Sequence, residues 1–114
     1  MKQRLIDILS ILGYPVFLQG SLNPNENYPD SFFTYWVFQA PETSHYDNQP
    51  SGCDWGFWIY FYSNDPKLVM DEPLRAKMLL RADGFVFEGK PTDANSDVET
   101  HTGSMLTCYY KEVY

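Results

Sequence analysis

The sequence is short of the residues on which most site chemistry depends. Cysteine and histidine occur twice each in 114 residues. Cys53 and Cys108 stand far apart with no C-x-x-C spacing, which excludes paired-ligand zinc motifs. At that number and spacing, two buried free thiols in a reducing compartment are expected in preference to a disulfide. Basic residues are also few: eight Lys and Arg face fifteen Asp and Glu, for a net charge of -7. That balance excludes a sequence-specific nucleic-acid reader, which needs a basic patch to neutralise phosphates. No hydrophobic run approaches the roughly 20 residues of a membrane-spanning helix. Leu5 to Leu12 is apolar but short, and Gly13-Tyr14-Pro15 follows where a small-residue cleavage site would stand, so no targeting segment is read. Glycine-rich phosphate loops and the G-x-S-x-G elbow are absent as well.

What the sequence does have is aromatic surface. Phe, Tyr and Trp make up 18% of the chain, hydrophobic residues 44% and charged residues 20%. That composition excludes disorder, and the length suits a single domain over 1–114. Tyr and Trp pair an apolar body with a polar tip, so they suit either a rich core or a surface that is wet in one state and covered in another.

Hydrophobic periodicity predicts two helices and several strands. Leu5, Ile8, Leu9 and Leu12 form one helical stripe, widened by Ile6 and Ile11 and stopped by Gly13 and Pro15. Pro15 to Gln19 suits a short strand and Gly20 to Asp30 a loop. Ser31 to Ala40 alternates Phe32, Thr34, Trp36 and Phe38 against Phe33, Tyr35, Val37 and Gln39. Both faces are apolar, as in a strand covered on both sides or facing a partner. Pro41 to Gly52 reads as a polar loop. Cys53 to Ser63 then sets Trp55, Phe57, Ile59 and Phe61 against Asp54, Gly56, Trp58, Tyr60 and Tyr62. Asp65-Pro66 begins a helical turn, Pro73 interrupts, and a main helix is expected from Pro73 to Ala82 with Leu74, Met78 and Ala82 on one face. Phe85 to Glu88 reads as a strand, Lys90 to Thr100 as an acidic loop and Ser104 to Val113 as a last strand. The predicted class is α+β: a mainly antiparallel sheet, order α-β-β-β-α-β-β, with two helices packed on one face.

Catalysis needs a nucleophile, a base and a group that orients the base. His45 falls in a polar loop and His101 at a strand start, while both cysteines alternate into strands as small hydrophobes. No enzyme, cofactor or metal is expected. The run Asp93 to Glu99 imitates the opening of a calcium loop, but Val98 replaces the turn glycine and Ser104 the closing glutamate. A solvated acidic loop is the reading there.

The ordered features resemble a known group. Phe33-Thr34-Tyr35-Trp36-Val37, then Tyr46-Asp47-Asn48, then Trp55 to Ser63, then Asp65-Pro66, Gly84-Phe85 and an acidic loop ending in Asp97, His101 and Gly103 are similar to small tail proteins of long-tailed bacteriophages and prophages. Within these the likeness is to the tail-completion or tail-terminator, head-to-tail joining group. The resemblance spans nearly the whole chain. It implies a structural virion protein made in the bacterial host cytoplasm and located in the virion tail. It also implies self-association in a ring, commonly a hexamer, and contact with tail-tube and head-connector proteins, without cofactor or reaction. Interface candidates are Trp36, Tyr46, Asp47, Asn48, Trp58, Tyr60, Tyr62 and His101, with Gly103 fixing loop shape or relieving backbone strain. The alternative from the residues alone is a small-molecule or carbohydrate-binding module, since Trp58, Tyr60 and Tyr62 offer ring faces to sugars.

Overall fold

The computed structural model describes residues 2–18, 29–46, 49–94 and 101–113, with the backbone alone over 42–46 and 49–51. Its elements are α1 (Lys2–Ser10), β1 (Val16–Leu18), β2 (Ser31–Gln39), β3 (Glu42–Tyr46), β4 (Gln49–Ser63), α2 (Pro66–Ala82), β5 (Val86–Ala94) and β6 (Thr102–Val113). The sheet order is β1-β2-β4-β6-β5, with β3 pairing β4. Among the described strands only the short β1–β2 pair is parallel. The class is α+β as the sequence predicts, and the order α-β-β-β-α-β-β holds with β3 as one short addition.

That addition corrects the expected loop over 41–52. Glu42 pairs with Cys53 and Tyr46 with Gln49, so β3 prolongs the line of β2 along the same flank of β4, past a register shift between Val37 and Gln39. Asp47 and Asn48 lie outside the described residues. The acidic loop is corrected in the same way: β5 runs on to Ala94, with a register shift between Glu88 and Thr92. Residues 95–100, including most of the calcium-like run, lie outside the described residues.

Each helix lays one stripe on the sheet. In α1, Leu5 and Leu9 are fully buried, with Ile6, Ile8 and Leu12 packed beside them. Ile11 does not widen the stripe; it falls in the turn after the helix and is exposed. Gly13 has φ +88°, the left-handed conformation that lets the chain turn back toward β1.

The second helix departs further from expectation. Asp65 caps it, accepting the Lys67 N–H at 3.0 Å, with Pro66 inside the first turn. The helix continues unbroken through Pro73. Proline at that position cannot donate to the carbonyl of Val69, four residues back. The hydroxyl of Ser104 on β6 donates to that oxygen instead, at 3.3 Å, so the deficit is repaired from the sheet. With its first turns restored, α2 buries Val69, Glu72, Pro73, Ala76 and Leu80. Leu74, Met78 and Ala82, read from the sequence as one face, are exposed.

Both helices cover the same side of the sheet. Phe33 and Tyr35 of β2, Phe57, Ile59 and Phe61 of β4, and Leu106 and Cys108 of β6 form the core with Leu5, Leu9, Val69, Ala76, Leu80 and Phe85. Tyr14 closes one corner edge-on to Phe61 at 5.2 Å and Phe33 at 6.0 Å. Buried Glu72 accepts two hydrogen bonds from Nη1 of Arg75, at 2.8 and 3.0 Å. Burial, then the Glu72 charge, pushes the Tyr14 phenol above its ordinary range. At the opposite corner Arg4 of α1 binds Asp83, just after α2, and lies over the Tyr110 ring at 5.2 Å.

The molecule measures 53 × 29 × 22 Å. The fifteen residues of β4 span about 50 Å at roughly 3.3 Å each, so this one strand sets the long axis. The Cα radius of gyration is 15.2 Å, against about 13 Å for a compact chain of this length. Among the described side chains, the helix-covered cluster reaches no further along β4 than Trp55. The β3–β4 end thus extends past the core.

Two predictions follow from this packing. Ser104→Ala strands the Val69 carbonyl and costs about 1–2 kcal/mol by urea denaturation. In a Pro73→Ala background, where residue 73 regains its N–H, the added cost of Ser104→Ala falls to near zero. The Arg4 hydrogen bond, ahead of charge attraction, holds Asp83 below the ordinary value of 3.8. A depressed carboxylate contributes stability above its unfolded value and loses it as pH falls through the folded one. Asp83→Asn therefore lowers the melting temperature at neutral pH by a small amount, and the difference from wild type disappears as the pH falls through the depressed value of the folded carboxylate.

Candidate functional site

The side of the sheet away from the helices is built by the other half of the alternation. Pairing sets Phe32 opposite Tyr62, Thr34 opposite Tyr60 and Trp36 opposite Trp58 between β2 and β4. It sets Tyr62 opposite Gly103, Tyr60 opposite Met105, Trp58 opposite Thr107 and Gly56 opposite Tyr109 between β4 and β6. Successive residues of a strand point to opposite sides, so these side chains share one face. No described helix covers it.

Two glycines shape the surface. A Cβ on Gly56 would come within 2.7 Å of the Phe38 ring, and one on Gly103 within 2.7 Å of the Tyr62 ring. Each glycine leaves room for neighbouring side chains, the Phe38 ring and the Gln39 stem at Gly56 and the Tyr62 ring at Gly103. Gly103 is not among the described glycines with positive φ, so its role is space for Tyr62 and not relief of backbone strain. Lying across Gly56, Phe38 stacks on Trp58 at 5.0 Å and meets Tyr109 edge-on at 5.8 Å. The Tyr109 hydroxyl donates to Glu88 Oε2 at 2.8 Å. That hydrogen bond, ahead of burial, raises the Tyr109 phenol above its ordinary range. Tyr60 and Tyr62 stack in parallel at 6.1 Å.

The face is graded from covered to open. At one end Phe32, Thr34 and Tyr62 are buried, and His101 joins them with its ring 6.0 Å from Phe32. A carbonyl oxygen only accepts, so the 2.8 Å contact of His101 Nε2 with Pro29 O fixes the proton on Nε2. His101 is thus an internal latch between the segment before β2 and the start of β6. At the other end Trp36 is 45% exposed and Trp58 36%. Tyr60, Phe38, Met105 and Tyr109 are half-buried between these ends.

The expected site residues therefore divide. Trp36, Trp58 and Tyr60 come together on the open part of the face. Tyr62 and His101 lie buried beneath its far end and hold it in place. Tyr46 is in β3, where the backbone alone is described, and Asp47 and Asn48 lie outside the described residues. Phe38 and Tyr109 belong to the same surface and were missed as site residues. Phe38 was legible as a neighbour of Trp36 in the alternation, but Tyr109 needed the β4–β6 register.

Cys53 and Cys108 are buried and form no disulfide, and burial pushes the Cys108 thiol up to about 12, so it carries no thiolate at neutral pH. Among the described residues no three His, Cys, Asp or Glu side chains group to hold a metal ion. No described helix is long and apolar enough to cross a membrane. Comparison of the sequence with protein families and with curated proteins gives no match.

Gly56→Ala and Gly103→Ala each force an aromatic ring from its slot and cost about 1–3 kcal/mol in chemical denaturation. Gly56→Ala also shifts the near-ultraviolet circular dichroism of the Phe38–Trp58 stack.

Proposed function

We propose that this chain is a structural virion protein of a phage or prophage tail, a ring-forming tail terminator or completion protein at the head–tail joint. The observation that carries this reading is the uncovered aromatic face, on which Trp36 and Trp58 stand opposite each other in the open. Large exposed aromatic rings on a rigid sheet are the composition of a protein contact. The extended β3–β4 end adds reach. A ring contact is heterologous, each copy presenting one surface to the next and a different one to the previous. A face and a projecting strand pair at different parts of the molecule meet that need. The net charge of -7 suits a channel through which DNA passes without adhering, since like charges repel. The ordered sequence likeness to tail-completion proteins gives the partners: other copies, the tail-tube protein and the head connector.

A second reading rests on the same tryptophans. Ring faces in the open also stack on the apolar faces of sugars, so a carbohydrate-binding module is the alternative. Tryptophan fluorescence separates the two: a response to one member of a glycan panel with no self-association favours the module.

The test of the main reading is association. The chain should form a ring in solution, or bind tail-tube or connector protein from the same genome. Trp36→Ser with Trp58→Ser should abolish that binding while the melting temperature stays within a few degrees of wild type. A chain that stays monomeric and binds neither tail nor connector protein would sink the proposal.

A further inference from the structure

Basic side chains are scarce in this acidic chain, eight in all, yet three of them meet at one cleft. It lies between the last turns of α2 and the start of β5, has a volume of about 580 Å³, and is lined by Lys77, Arg81, Phe85, Phe87 and Lys90. Lys77 and Arg81 stand four apart and share one side of the helix. Lys90 comes from β5, just past Gly89, where a φ of +73° and a register shift break the ladder. A cleft of this size, with an apolar floor and a few convergent polar groups, suits a small molecule.

The positive charge of the cleft is left open by the described residues. Among them none of Lys77, Arg81 and Lys90 pairs with a carboxylate. The acidic neighbours in sequence are engaged elsewhere: Asp83 binds Arg4, and Glu88 accepts the Tyr109 hydroxyl on the far side of the sheet. The C-terminus of α2 offsets only about half a charge. Lys77 is held by neutral groups, donating to the Gly89 carbonyl at 3.0 Å with its ammonium 5.9 Å from the centre of the Phe87 ring. An ammonium has three donors, so Lys77 is positioned with donors still to give. Arg81 adds a planar fork that matches phosphate or carboxylate oxygens.

We propose that this cleft binds a phosphate monoester with an apolar body, the phosphate meeting Lys77, Arg81 and Lys90 and the body lying against Phe87. A phosphate monoester carries a charge of about -1.5 to -2 near neutral pH, which matches three cations better than the single charge of a carboxylate. A peptide strand is not the occupant, because sheet extension is blocked where the cleft lies. The Gly89 carbonyl already accepts from Lys77, Pro91 has no N–H to give, and the register shifts between Glu88 and Thr92. Neither Trp36 nor Trp58 lines the cleft, and the proposal does not rest on the tail reading.

Titration of the isotope-labelled full chain with phenyl phosphate, followed through amide chemical shifts, tests the site. Saturating shifts are expected at Gly84, Phe87 and Gly89. Inorganic phosphate and benzoate should shift the same amides with weaker affinity, and benzyl alcohol should leave them in place. Lys77→Gln with Arg81→Gln should weaken phenyl phosphate binding by about tenfold or more, with the melting temperature within a few degrees of wild type. Lys90→Gln, at an exposed position, should weaken it too, whereas Trp36→Ser with Trp58→Ser should leave it unchanged. Benzyl alcohol binding as tightly as phenyl phosphate would overturn the anion site. Benzoate binding as tightly would overturn the choice of phosphate, and inorganic phosphate binding as tightly would overturn the apolar body. No saturating shift at these amides, or one that the Lys77→Gln/Arg81→Gln and Lys90→Gln variants leave untouched, would overturn the site itself.

Discussion

The structure depends on one constraint: β4 is apolar on both sides, and the described helices cover only one of them. Phe57, Ile59 and Phe61 are buried under α1 and α2, which settles the position of both helices and the register of β2 and β6. Trp58, Tyr60 and Tyr62 point the other way by the geometry of the strand. The fold copes with that second side by packing rings against one another. Gly56 and Gly103 give up their side chains so that Phe38 and Tyr62 have room, and His101 pins the covered end to the backbone at Pro29. What these devices leave over is the open ground around Trp36 and Trp58.

The same economy appears in α2. Its inner stripe sets the compact Ala76 and Pro73 among Val69, Glu72 and Leu80 against the sheet. Across that contact Ser104 reaches the Val69 carbonyl and makes a mid-helix proline tolerable. The large flexible residues, Met70, Leu74 and Met78, are then left outside. Both exposed apolar surfaces, the aromatic face and the outer side of α2, thus follow from how the single core is filled.

Much of this was legible in the sequence. Period-2 alternation gives both faces of β4 and of β2 as far as Val37, because each strand commits rings of the same kind to alternate positions; the register shift then sets Gln39 opposite Gly56, off the face that alternation assigns it. The burial of the two cysteines was legible for the same reason. Composition failed where pairing decides the structure. Glu42–Tyr46 is polar and bracketed by Pro41 and Pro50, which reads as loop, yet it is a strand because β4 supplies its partners. Pro50 is tolerated there because β6 pairing begins only at Gly52, leaving one flank of β4 without ladder bonds to lose. Starting the second helix at Pro73 removed Val69 and Glu72 from the count, and the remaining pattern then grouped Leu74 and Met78 as the helix's apolar face. Nothing local signals that Ser104, distant in sequence, makes good the missing donor. The candidate site was half legible: Trp36, Trp58 and Tyr60 by alternation, but the burial of Tyr62 and His101 only by the packing at the covered end.

The central claim is that the aromatic side of the sheet is a surface made to be covered by protein. Acrylamide quenching of tryptophan fluorescence reads this directly, since Trp36 and Trp58 lie on that side and Trp55 on the other. The account predicts ready quenching of two of the three tryptophans in the isolated chain and their protection once it is assembled with itself or with the proposed tail partners. Equal quenching in the isolated and assembled states would contradict it.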